Sequence, residues 1–154
     1  MASPLQIGSW QIGTIPEGWE ILPGHGLRRA APNVFPSTVV MVEEPLPEGL
    51  TLETYVANQV QVIRALLPHS NIKGPSPTAL PQIESAQKLG VFYQSQDGRA
   101  VVQTQLYTAS SGQVGVVTFT TLEDEFAQIG GAFQAIGSGL KFQKAPEPAP
   151  AGPR

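Results

Sequence analysis

The chain has 154 residues, 41% of them hydrophobic, the size and apolar content of a single domain with a real core. Only 14% are charged and the formal net charge is -3, so no basic field exists to neutralise nucleic-acid phosphates or anionic lipid heads. With no cysteine, disulfides, thiolate nucleophiles and cysteine metal sites are excluded, which is compatible with a reducing compartment.

The amino-terminal stretch MASPLQIGSWQIG has no basic n-region and no long apolar run, so it does not read as a secretory signal. No stretch is apolar for long enough to cross a bilayer. The expectation is a cytoplasmic protein with no direct membrane insertion. Short strands are predicted in SWQIGTIPEGWEIL, interrupted at Pro16-Glu17-Gly18, and a better one in STVVMVEE, its start set by Pro36 after the APNVFPS approach.

TLETYVANQVQVIRALLP, residues 51–68, has the three-and-four spacing of a buried helical stripe in Leu52, Tyr55, Val56, Val60, Ile63, Leu66 and Leu67. Thr51 is placed as its N-cap, Glu53 favours the positive end of the helix dipole, and Pro68 marks its end. Gln59 falls inside the stripe, where the pattern asks for leucine. It either marks the stripe's edge or meets a partner absent from the chain itself. GPSPTALPQ, which follows, reads as a proline-broken loop or edge strand.

Residues 87–121, QKLGVFYQSQDGRAVVQTQLYTASSGQVGVVTFTT, predict a three-stranded meander turning at Asp97-Gly98 and Ser111-Gly112. Taking both loops as two residues long assigns the faces by counting. Leu89, Val91, Tyr93, Val102, Thr104, Leu106, Val117 and Phe119 form the expected core face. Gly90, Phe92, Gln94, Val101, Gln103, Gln105, Tyr107, Val116 and Thr118 form an opposite face that is amphipathic and uncharged. A second helix is expected in TTLEDEFAQIGGAFQAIGSGLKF, with Thr120 and Glu123 as a capping box and Leu122, Phe126, Ile129, Phe133 and Ile136 as its buried stripe. Gly130-Gly131 suggests close packing on the sheet. The fold class expected is α+β, an antiparallel β-sheet flanked by helices in an α/β/α sandwich. One domain is expected over residues 1–142. Residues 143–154 are too rich in proline and alanine to build a core and read as a disordered tail.

The order of these elements, with IPEGWE near the start, TYVANQ opening the helix, GRAVVQTQLY in the meander and VVTFTT before the last helix, resembles the DcrB-related group of the PsbP-like fold. Within that group it looks most like the Eag chaperones of bacterial type VI secretion. The resemblance implies a cytoplasmic homodimer that shields the hydrophobic amino-terminal helices of a secreted effector before loading on the secretion spike. It also implies a groove in which apolar side chains are paired with two glutamines, at the positions matched here by Gln59 and Gln105. Further candidates for the groove are Gln103, Val39, Met41, Phe92 and Tyr107. A solvated surface competes for Gln105 and more strongly for Gln103, and ordinary core or dimer contact for the other four. The wider group implies an alternative, an accessory domain holding a small apolar ligand or a folded partner.

Catalysis finds no constellation to carry it. His25 and His69 lie in loop contexts without ligand-spaced companions, so no metal or other cofactor is expected. Asp97 is taken by its turn and Asp124 by a first helical turn, while Glu43-Glu44 reads as a charged strand edge. No helix carrying a lysine and a hydroxyl follows the GHG at residues 24–26, so it is no phosphate loop. The expectation is a binding protein rather than an enzyme.

Overall fold

The computed structural model describes residues 5–30 and 37–143. Residues 31–36, most of the APNVFPS approach, and residues 144–154 of the expected tail lie outside the described residues.

Two sheets carry the chain. β1 (Leu5–Ile7), β2 (Trp10–Ile12) and β10 (Leu140–Phe142) form a small antiparallel sheet. β3 (Trp19–Leu22), β4 (Gly26–Arg29), β5 (Thr38–Pro45), β6 (Asn71–Leu80), β7 (Ile83–Gln94), β8 (Ala100–Ser110) and β9 (Gln113–Leu122) form a seven-stranded antiparallel sheet in the order β3-β4-β5-β9-β8-β7-β6. α1 (Leu52–Leu66) carries the chain from β5, inside this sheet, to β6 at its far edge, and so lies across one face. α2 (Phe126–Ser138) packs on the other face, which makes the expected α+β sandwich. GPSPTALPQ is largely the edge strand β6, where Pro75 falls within one register shift and Pro77 between that shift and the next, irregularities that blunt the edge.

α1 follows its local signals. The Thr51 hydroxyl accepts a hydrogen bond from the Thr54 N–H at 3.2 Å, and the helix ends before Pro68. Tyr55, Val56 and Val60 are buried with Leu89, Val91, Tyr107 and Val114 of the sheet. Leu66 departs from the expected stripe and is 74% exposed.

The second helix starts later than the sequence suggests. Thr120 is a strand residue paired with Gln103, a 3-10 turn spans Glu123–Glu125, and α2 begins at Phe126 with no side-chain cap. Ile129, Phe133 and Ile136 are buried as expected, Phe133 packing edge-on against Phe119 at 5.0 Å. Among the described residues the close packing expected at Gly130-Gly131 is absent, since a Cβ added at either would meet nothing within 4 Å. The tight spot is Gly115 of β9, where an added Cβ would lie 2.6 Å from the Phe142 ring and 2.7 Å from Trp10. The small sheet therefore docks directly onto bare backbone.

The main correction concerns β7. Ser111-Gly112 forms the expected two-residue turn, both residues at positive φ, with Ser110 opposite Gln113. The other hairpin has a three-residue loop, Gln96-Asp97-Gly98. The Gly98 N–H donates to Ser95 O at 2.9 Å, the Ser95 N–H donates to Arg99 O at 2.8 Å, and Gly98 has φ +82°. This is a type I turn closed by a left-handed residue, the other hairpin solution for an Asp-Gly pair. One extra loop residue slips the register by one and turns every β7 side chain over. Leu89 thus lies opposite Gln105 and Val91 opposite Gln103, not on the face of Leu106 and Phe119. Both faces of the sheet are core, one under α1 and one under α2.

Candidate functional site

Cross-strand partners point to the same side of a sheet, so the registers distribute the seven candidate residues. Gln103, Gln105 and Tyr107 of β8 face α1. Val39 and Met41 of β5 pair with Phe119 and Val117, face α2, and are 0% and 2% exposed. They are core and cannot line a groove on the α1 side. Phe92 pairs with Val102 and also faces α2, half-buried, with the Lys73 ammonium 4.9 Å from its ring centre. Four candidates are brought together on the α1 side, and three are not.

The β8 side chains on the α1 face are linked in a ladder. The Tyr107 hydroxyl donates to Gln105 Oε1, Gln105 Nε2 donates to Gln103 Oε1 at 3.3 Å, and Gln103 Nε2 donates to the Tyr93 hydroxyl at 3.3 Å. Alternation along one strand places residues 103, 105 and 107 in a row, and amides carry the donor and acceptor needed to pass the chain on. Tyr107 is 3% exposed, and burial, with a lesser contribution from the Glu44 charge, pushes its phenol up to about 12. Its ring meets Tyr55 of α1 at 6.3 Å in an edge arrangement. The Tyr55 hydroxyl is buried without a hydrogen-bond partner among the described residues.

Gln59 stands outside the ladder, half-buried on α1. At 3.6 residues per turn it shares with Tyr55, Val62 and Leu66 a flank about 60° wide. Because Tyr55 meets Tyr107, that flank is turned toward β8. The end of α1 at Leu66 and Leu67 shares a hollow with Tyr93, Gln94 and Ala100, so α1 runs from the Tyr107 end of β8 toward its Ala100 end. Gln59 lies about 6 Å along the helix from Tyr55, and Gln105 lies about 6.6 Å along the strand from Tyr107. The two amides therefore stand at the same level, one on the helix flank and one on the sheet.

Beyond the ladder the sheet is incompletely covered by the described residues. α1 rests on β6, β7 and β8. The rows that start at Gln105 and Gln103 continue as Thr118 and Val40, and as Thr120 and Thr38, all half-buried. The row from Tyr107 continues through Val116 to Val42, which is 52% exposed. Val62 on the helix flank is 49% exposed. The result is a shallow trough with an apolar wall on α1, apolar side chains on β5 and uncharged amides and hydroxyls between them.

Sequence reasoning missed Tyr93 and Tyr55 as parts of this site. The one-residue slip placed Tyr93 on the opposite face, and Tyr55 read as one more apolar member of a stripe. Only a choice between the two hairpin solutions open to Asp97-Gly98 would have recovered the first.

A seven-stranded antiparallel sheet with a helix on each face, a four-stranded meander between the helices and a small second sheet make up an α+β fold of the PsbP-like kind. The solved structures it is similar to include a PsbP. LpqN, involved in cell envelope biogenesis of Mycobacterium tuberculosis, superposes with a TM-score of 0.64 at 23% identity, over 92% of this chain and 90% of its own. PA94 from Pseudomonas aeruginosa, a protein of unknown function and putative regulator, gives 0.60 at 17% identity over 92% and 100%. The cyanobacterial PsbP of Synechocystis sp. PCC 6803, CyanoP, gives 0.50 at 15% over 88% and 87%. No protein-family model matches the chain, and no curated protein matches its sequence.

Proposed function

We propose that this protein is a non-catalytic holder of apolar helices, using the trough between α1 and β5. In the reading that the Eag resemblance suggests, it acts in the cytoplasm as a homodimer. There it shields the hydrophobic amino-terminal helices of a type VI secretion effector until they are loaded on the spike. The observation that carries the proposal is that Gln59 on the helix flank and the Gln105–Gln103 ladder on the sheet face one trough, whose other central side chains, Val40, Val42, Val62 and Val116, are apolar, with charge at its rim in Glu44 and Arg28. Covering apolar surface stabilises a complex by about 2.5 kcal/mol per 100 Å² before the costs of association. The amides add hydrogen bonds to polar atoms of the guest without the desolvation cost of a charge.

The test is a tagged pull-down from native cells with native mass spectrometry, repeated with Gln59→Ala and Gln105→Ala. The expected result is one larger protein with hydrophobic amino-terminal helices, held by two copies of this chain. Each variant, folded as judged by circular dichroism, should weaken the guest about three- to tenfold, the effect of one lost hydrogen bond. Capture at wild-type strength by both variants would remove the amides from the mechanism, and recovery of the free chain alone would remove the guest.

A further inference from the structure

On the opposite side of the sheet, two adjoining hollows of about 390 Å³ and about 410 Å³ share Lys88, Thr104 and Phe126. Together they form a trough between α2 and the β6–β7 edge, in the size range of small-molecule sites. Its second half is walled by Leu80, Leu106 and Phe133 and roofed by Gly130 and Gly137 of α2. A glycine inside a helix costs about 1 kcal/mol relative to alanine. At Gly130 no close contact accounts for it, because an added Cβ would meet nothing within 4 Å. The missing side chain leaves the hollow open.

Charge marks one part of this trough. Lys88 starts a cross-strand row that runs on through Leu106, Val117 and Met41, so its side chain stands on the apolar side of the sheet. Lys73, opposite Gly90, faces the same way and lies over Phe92. Among the described residues the ion pairs join Arg28 to Glu20 and Arg99 to Asp97, and neither lysine is used. Glu123 lines the first hollow at its Phe92 end, where the Lys73 ammonium also lies, and stands about 13 Å along the strand from Lys88. The two lysines outnumber the one carboxylate, and Lys88, which lines both hollows, draws an anion to the point where the apolar half of the trough begins.

We infer that this trough binds a single-chain amphiphile, its anionic head at Lys73 and Lys88 and its alkyl chain under Gly130 and Gly137. The site lies on the face opposite the Gln59–Gln105 trough and does not depend on the helix-holding role. The test is displacement of a fluorescent acyl probe, dansyl-undecanoate, from the full-length protein by oleate, by lysophosphatidylglycerol and by uncharged dodecyl maltoside.

Either anionic amphiphile displacing the probe with one site per chain, and dodecyl maltoside at least about tenfold more weakly, is the expected result. The tighter of the two anions identifies the head group. Gly130→Leu fills the hollow and should abolish binding without lowering the melting temperature, while Gly131→Leu, which does not line the trough, should bind as wild type. The double variant Lys73→Gln with Lys88→Gln should lose about tenfold for the anions and nothing for dodecyl maltoside. Equal binding of charged and uncharged amphiphiles, unchanged binding by folded Gly130→Leu, or no displacement by either anion would each overturn the inference.

Discussion

Gly115→Ala tests how the two sheets are joined. The added Cβ would sit 2.6 Å from two carbons of Phe142 and 2.7 Å from one of Trp10, roughly 0.8 Å inside the 3.4 Å limit of ordinary contact. Both rings are buried and packed on each other at 4.7 Å, so neither can turn aside alone. β2 and β10 must lift from β9 together. Overpacking of this kind costs about 1–3 kcal/mol. The lift also strains the bond from Trp10 Nε1 to Val42 O, 3.0 Å long, whose loss adds about 1 kcal/mol. Against a urea slope of about 2 kcal/mol per molar, a total of about 2–4 kcal/mol lowers the unfolding midpoint by about 1–2 M. The assay is urea unfolding followed by tryptophan fluorescence, with far-ultraviolet circular dichroism confirming that the large sheet survives. A midpoint within about 0.3 M of wild type would refute the reasoning, because it would mean that the small sheet yields without cost.

Two further outcomes concern the ladder. Tyr107 has a folded-state pKa of about 12 against an ordinary 10, so between those values the unfolded chain releases a proton that the folded chain keeps. The contribution of Tyr107 to stability is level below pH 10 and falls as pH rises toward 12, and Tyr107→Phe should flatten that fall in pH-dependent melting curves. A second measurement is a double-mutant cycle of Gln105→Leu with Tyr107→Phe by chemical denaturation. Gln105→Leu alone strands a buried phenol donor and should cost about 1–3 kcal/mol, whereas in the Tyr107→Phe background most of that cost should vanish. Additive effects would show that the ladder does not couple the two.

Much of this protein is legible locally. The Thr51 cap, the stripe of Tyr55, Val56 and Val60, the stop before Pro68 and the Ser111-Gly112 turn all depend on bonds and sterics among residues a few places apart. The uncharged character of Gln59, Gln103 and Gln105 can also be read from the chain. Their arrangement cannot. Asp97-Gly98 fits a two- and a three-residue loop equally well, and the difference of one residue decides whether Leu89 and Val91 lie with the glutamines or against them. The structure settles it by placing both under α1 at 0% exposure, a demand made by a helix more than twenty residues earlier.

The same holds for Val39 and Met41, whose strand alternates as expected but whose outward or inward sense depends on the cover provided by α2. Phe142 meets Trp10 across almost the whole chain, and the gap that receives them is a glycine on a third element. Sequence by itself determined that two helices form, where the chain turns and the chemical kind of each surface. Tertiary structure alone decided which face each strand presents and which part of it stays uncovered, because only distant surfaces meeting each other exclude the water that makes one register better than the next.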